Sequence, residues 1–155
     1  MMFTCAMMCM GGLTGYAQKS IVVLYENDVH CAVDGYAKLA GLRDAIADTA
    51  YVALVSNGDY VQGMTVGAIS KGQYVVDLMR ALPYDAITLG NHEYDYGMER
   101  MFQLLRQLPA PIVCANLYDV KLGRLVFAPY VMKRFGDKKI IARSEERRVG
   151  KECRS

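Results

Sequence analysis

Four short apolar runs, at residues 21–25, 51–55, 86–89 and 112–115, interrupted only by Thr88, punctuate this chain and limit its fold more than any other feature. Each has the length of a strand, and an apolar run that does not alternate predicts a strand buried on both faces. Between the runs, Tyr36, Leu39, Leu42 and Ile46 fall at near-helical spacing, as do Val75, Met79 and Leu82, and then Met98, Phe102 and Leu105. The repeated order of strand and helix predicts a predominantly parallel α/β sheet with crossover helices. With 155 residues and 53% hydrophobic content, one domain with a sizeable core is within reach. The last coherent apolar segment covers residues 125–132, and after Phe135 no periodicity continues the domain.

Polar residues are phased to this frame. The first run leads into Asn27, Asp28 and His30, the second into Asn57, Gly58 and Asp59, the third into Gly90, Asn91 and His92, and the fourth into Asn116. Open parallel sheets bind ligands at the carboxyl ends of their strands, so residues distant in sequence are set to converge there. His30 and His92 are the chain's two histidines, and each stands beside carboxylate or carboxamide groups. That points to a metal site.

Asp28 and His30 put a hard oxygen donor and an imidazole two residues apart. Extended backbone at a strand end would turn both to one side, where they can share a cation. Asp59 follows Gly58, whose missing side chain allows a tight turn, and its two carboxylate oxygens can bridge a pair of ions. Asn91 offers a neutral carbonyl oxygen. His92 is free to act as an acid or charge stabiliser, with Asp95 one turn on holding its other ring nitrogen in one tautomer. Oxygen and nitrogen donors without thiolates suit two divalent ions such as zinc, manganese, iron or cobalt. Two such ions can hold a bridging hydroxide for in-line displacement at phosphorus, so the chemistry indicated is phosphoester hydrolysis. Taken singly, Asp59 is an ordinary turn former and His92 an ordinary helix-start residue; their joint occurrence at successive strand ends carries the reading. Cys31 reads as a small buried residue rather than a ligand. Asn116 either reaches a substrate phosphate or closes a turn, and Met98, Met101, Phe102 and Leu105 form a core stripe.

Asn27-Asp28-Val29-His30, Gly58-Asp59-Tyr60-Val61-Gln62-Gly63 and Gly90-Asn91-His92-Glu93-Tyr94-Asp95 resemble the first three signature blocks of the calcineurin-like metallophosphoesterases. The Gln62-Gly63 ending and the Glu-Tyr-Asp after the histidine are most similar to the branch of 5'-nucleotidases, UDP-sugar hydrolases and 2',3'-cyclic phosphodiesterases. The resemblance runs from about residue 21 to about residue 130. It implies the first half of a four-layer α/β/β/α metallophosphatase sandwich. It also implies that Asp28 and His30 bind a first metal, Asp59 bridges, Asn91 binds the second, and His92 with Asp95 forms a catalytic dyad. Cys31 stands where the family usually has glycine. The family completes its site with a further histidine and a His-x-His segment, and no histidine follows His92 here. The base-gripping domain is absent too, so the chain as written is expected to be inactive.

Residues 1–13 form an apolar run, no charge precedes Lys19, and the run is too short to span a bilayer. Gly15 and Ala17 supply small residues for cleavage after Ala17, which predicts a signal peptide over 1–17 that lacks its basic opening, and export to the periplasm or exterior. Cys5 and Cys9 would leave with it, and Cys31 with Cys114 is too little for a disulfide framework. Residues 143–155 hold five of the 18 basic and three of the 16 acidic residues, leaving 13 of each. This segment lacks the apolar face of a helix, and it can be encoded by a stretch that looks like a sequencing adapter read in frame. A non-native tail is therefore expected there, and the partial catalytic domain over 18–142. The balanced remainder has no clustered basic face and excludes a nucleic-acid binder. Nor does a GxGxxG or P-loop lysine support a nucleotide-binding module without chemistry.

The sequence thus points to an exported metal-dependent hydrolase of nucleotides or other small phosphoesters, with no stable membrane span. Two alternatives stand beside it: a non-catalytic fragment that binds metal weakly, and a 2',3'-cyclic nucleotide phosphodiesterase.

Overall fold

The first two apolar runs pair along their whole length in a parallel sheet. The computed structural model describes residues 19–144. In it β1 (Ile21–Glu26), β2 (Tyr51–Ser56) and β3 (Ala86–Ile87) lie side by side in chain order, all parallel. Leu24 stands in register with Leu54, and Glu26 with Ser56. Residues 112–115, expected to be a full strand, contribute only an isolated parallel bridge from Ile112 to Ile87 before Val113 turns to Ala128. The short β3 and the proline at 111, which has no N–H to give, leave little ladder to extend.

Four helices connect these strands: α1 (Asp34–Ala47), α2 (Met64–Ser70), α3 (Gln73–Met79) and α4 (Met98–Leu105), with a single 3₁₀ turn at His92–Tyr94. Sheet order equals chain order, so right-handed crossovers bring every connection to the same face. The core lies there: Tyr36, Val75, Val76, Met79, Met101 and Leu104 pack with Leu54 and Ile87. On the opposite face Val23 is 49% and Tyr25 66% exposed. Burial of β1 on both faces is therefore not what this structure has; its apolar run is covered on the helix side alone.

Antiparallel pairs follow the sheet's last bridge. β4 (Tyr118–Asp119) pairs with β5 (Arg124–Leu125), and β6 (Tyr130–Phe135) with β7 (Lys138–Arg143). The second hairpin corrects the expectation that order fades after Phe135. Lys138–Arg143 alternates between half-buried and exposed positions, the period of a strand, and Gly136 at φ 61° makes the two-residue turn. The hairpin reaches the sheet where the Phe135 ring lies 5.7 Å from that of Tyr51. The signal segment expected at 1–17 and the tail beyond Ser144 lie outside the described residues. Among the described residues no helix is long and apolar enough to cross a membrane.

Candidate metal centre

The loop after β1 is built from strained backbone. Asp28, His30 and Cys31 take φ of 58°, 44° and 59°, in the left-handed region, so the extended geometry expected at this strand end is replaced by a tight coil. The neighbouring loop after β2 compensates with hydrogen bonds: Asp28 N–H to Gly58 O at 3.2 Å, His30 N–H to Asp59 O at 3.0 Å and Cys31 N–H to Tyr60 O at 3.2 Å. The two side chains nevertheless meet, with Asp28 Oδ1 2.8 Å from His30 Nε2. On the far side of the ring, Nδ1 lies 3.0 Å from the Gln62 carbonyl and 3.2 Å from Gln62 Oε1. A carbonyl only accepts, so Nδ1 carries the proton and Nε2 faces Asp28. Burial pulls the His30 pKa down, but Gln62 and Asp28 outweigh it and hold it above the usual value. Gly63, at φ 120°, admits no side chain, because a Cβ there would run into the His30 backbone.

Cys31 points away from this pair. It is buried, and its thiol donates to the carbonyls of Tyr60 at 3.3 Å and Val61 at 3.1 Å. Burial pushes its pKa up, the opposite of what a metal-binding thiolate needs.

The loops after β2 and β3 pass backbone against backbone. A Cβ on Gly58 would collide with the main chain of Leu89 and Gly90, and one on Gly90 would collide with the Asp59 carboxylate. Asp59 Oδ1 accepts the His92 N–H at 2.8 Å. His92 Nδ1 in turn lies 2.7 Å from Asp95 Oδ2, both side chains being about a third exposed. The rings of His30 and His92 touch edge to face, with centroids 4.7 Å apart. Asn91 is exposed beside them. Asn116 is turned to its own loop, where its Oδ1 accepts the Cys114 thiol at 3.0 Å.

Two buried acids escaped the sequence reading. Glu93 is 1% exposed, and its carboxylate accepts four backbone N–H groups: Asp59 at 2.8 Å and Gly90 at 2.6 Å on Oε2, Tyr60 at 2.8 Å and Val61 at 3.3 Å on Oε1. A signal existed in its three-residue spacing from Gly90, the reach by which carboxylates at helix starts bond back to preceding amides. Glu26, at the end of β1, is raised in pKa by burial; the hydroxyls of Ser56, Tyr84 and Tyr36 face it and ease its ionisation, yet its Oε1 has no hydrogen-bond partner.

Among the described residues, no three or more His, Cys, Asp or Glu side chains gather closely enough to hold a metal ion. The candidates stand instead as two pairs, Asp28 with His30 and His92 with Asp95, joined by the contact between rings. The first pair suits a cation that takes the place of the Nε2 proton, because an oxygen and a nitrogen would then both face it while the other ring nitrogen is committed to Gln62.

A parallel sheet carrying its polar loops at the carboxyl edge, with helices on one face, is the arrangement of the metallophosphatase fold. The structure superposes on the 5'-nucleotidase precursor of Thermus thermophilus with a TM-score of 0.67 and 26% identity, over 77% of this chain and 27% of that one. The family model for calcineurin-like phosphoesterases matches residues 21–143, and the chain belongs to that family. It is 33% identical over 141 residues to a 5'-nucleotidase of Bos taurus, covering 76% of this chain and 24% of the relative. It is 30% identical over 118 residues to a 2',3'-cyclic-nucleotide 2'-phosphodiesterase/3'-nucleotidase of Haemophilus influenzae, covering 70% and 18%. The chain spans a quarter or less of the length of these curated relatives.

Proposed function

We propose that this chain belongs to an exported enzyme that hydrolyses nucleotide phosphoesters with divalent metal ions, in the manner of a 5'-nucleotidase. The observation that carries the proposal is the ring contact of His30 with His92, which sets a carboxylate-backed imidazole beside the Asp28–His30 pair. Asp28 and His30 would hold one ion, Asp59 would be shared, and Asn91 would serve the second; zinc, manganese, iron and cobalt all suit these donors. When bound, such ions polarise a phosphoryl oxygen and lower the pKa of an attacking water. His92 does its work through Nε2. With Nδ1–H donated to Asp95, a protonated Nε2 can donate to an oxygen gaining charge in the transition state. Export draws its support from the uncharged apolar stretch that precedes Lys19.

The test is phosphate release from AMP by the product of the complete open reading frame, with manganese or zinc supplied and with EDTA. A cyclic-phosphodiesterase reading is favoured by the Haemophilus relative. It predicts a higher kcat/KM on 2',3'-cyclic AMP than on AMP.

A further inference from the structure

We infer that Glu93 is a positioning residue, an internal acceptor that locks the Asp59 loop onto the Gly90–Asn91 loop before any metal arrives. The inference rests on the reading of Asp59 and Asn91 as metal ligands. Its basis is geometric. All four partners of the Glu93 carboxylate are donors, so both oxygens act purely as acceptors. One oxygen takes the amides of Asp59 and Gly90, so a single atom ties a candidate bridging ligand to the residue preceding the other candidate ligand. The second oxygen takes Tyr60 and Val61, which fixes the course of the loop after Asp59. Successive amides converging on one point form a concavity that attracts anions. Here the chain fills that concavity with its own side chain, and the loops close around it at 1% exposure.

The lock also accounts for the backbone at Asp59. A non-glycine residue at φ 58° persists only where its surroundings over-determine it, and Asp59 is held at its N–H by Glu93 and at its carboxylate by the His92 amide. Without the Glu93 anchor the loop is free to relax toward extended backbone, and the Asp59 carboxylate leaves the place that His92 and Gly90 define.

Glu93→Gln keeps the shape but replaces one acceptor oxygen with an NH₂ that faces two N–H groups. Titration calorimetry with Mn(II) should show its dissociation constant raised by about tenfold or more, as for loss of a group that orients metal ligands. Met79→Ala, a deletion in the fully buried core on α3, serves as the control for lost stability and should bind within a few-fold of wild type. Amide hydrogen exchange supplies a measurement that needs no variant. In metal-free wild type the amides of Asp59, Tyr60, Val61 and Gly90 should exchange as slowly as those of β2. Wild-type Mn(II) affinity in Glu93→Gln, or rapid exchange of the four amides until metal is added, would overturn the positioning role. Absence of Mn(II) binding by wild type would instead overturn the metal reading on which it rests.

Discussion

His30 and His92 meet edge to face, their ring planes inclined at 66° and their centroids 4.7 Å apart. One ring belongs to the loop after β1 and the other to the loop after β3, so the contact crosses the carboxyl edge of the sheet. It brings the Asp28–His30 and His92–Asp95 pairs together at one place.

The division of labour between the two rings is open to direct measurement. His92→Ala should lower kcat/KM of the full-length enzyme by ~10²–10⁴-fold while metal content stays near wild type, because its proposed work is with the transition state. Asp95→Asn should act in the same direction by a smaller factor, through loss of the carboxylate that the 2.7 Å contact sets against the ring. Loss of metal from the His92 variant, found by elemental analysis, would contradict the assignment.

Asp59 should matter more to metal than Asn91. A bridging carboxylate offsets the charge of both ions, and Asp59, proposed for that place, is also held by the His92 amide at 2.8 Å. Asp59→Asn is expected to weaken Mn(II) binding by at least ~10–100-fold, the loss found for outer-shell partners alone. Calorimetric titration of Asp59→Asn and Asn91→Ala side by side decides the order, and equal losses would remove the bridging role.

Much of this site is legible in the sequence because strand ends are. The runs at 21–25 and 51–55 are apolar without interruption, and both are strands in the structure. The stripe of Met98, Met101, Phe102 and Leu105 marks α4 by its spacing, but as core it holds only in part: Met101 and Leu105 are buried, Phe102 is half-buried and Met98 is exposed. What the residues conceal is what depends on tertiary partners. α2 buries only Gly67 and leaves Met64 and Ile69 exposed, so it shows no apolar period to read. β7 looks like a charged tail because half its positions face water. The left-handed backbone of Asp28 and His30 depends on amides donated to the next loop, and Glu93 on four amides of residues spread from 59 to 90. No local pattern encodes those partners.

Two glycine substitutions should move stability in opposite directions. Gly41 lies within α1 with nothing near its missing Cβ, so Gly41→Ala should stabilise by ~0.5–1 kcal/mol through helix propensity. Gly58 sits at φ 93° against the Gly90 backbone, so Gly58→Ala should cost more than about 1 kcal/mol. Urea unfolding of both variants checks the pair.

Glu26 should make stability fall as pH rises. Burial holds its folded pKa above the ordinary 4.5, so between those values the unfolded chain has released the proton and the folded chain retains it. Folded protein then binds more protons than unfolded, and stability declines with pH at a slope approaching ~1.4 kcal/mol per pH unit. Below 4.5 both states are protonated and the effect vanishes. Glu26→Gln should remove this component, so its stability relative to wild type should improve as pH rises above 4.5. A difference constant across that range would show that Glu26 does not titrate as described.

The most direct test of the account is the metal dependence of phosphate release from AMP by the complete open reading frame product. Treatment with EDTA should abolish release, manganese or zinc should restore it, and His92→Ala should stay slow under every metal condition. Release unaffected by EDTA in a preparation verified as metal-free, or restored in full by metal in His92→Ala, would contradict the account.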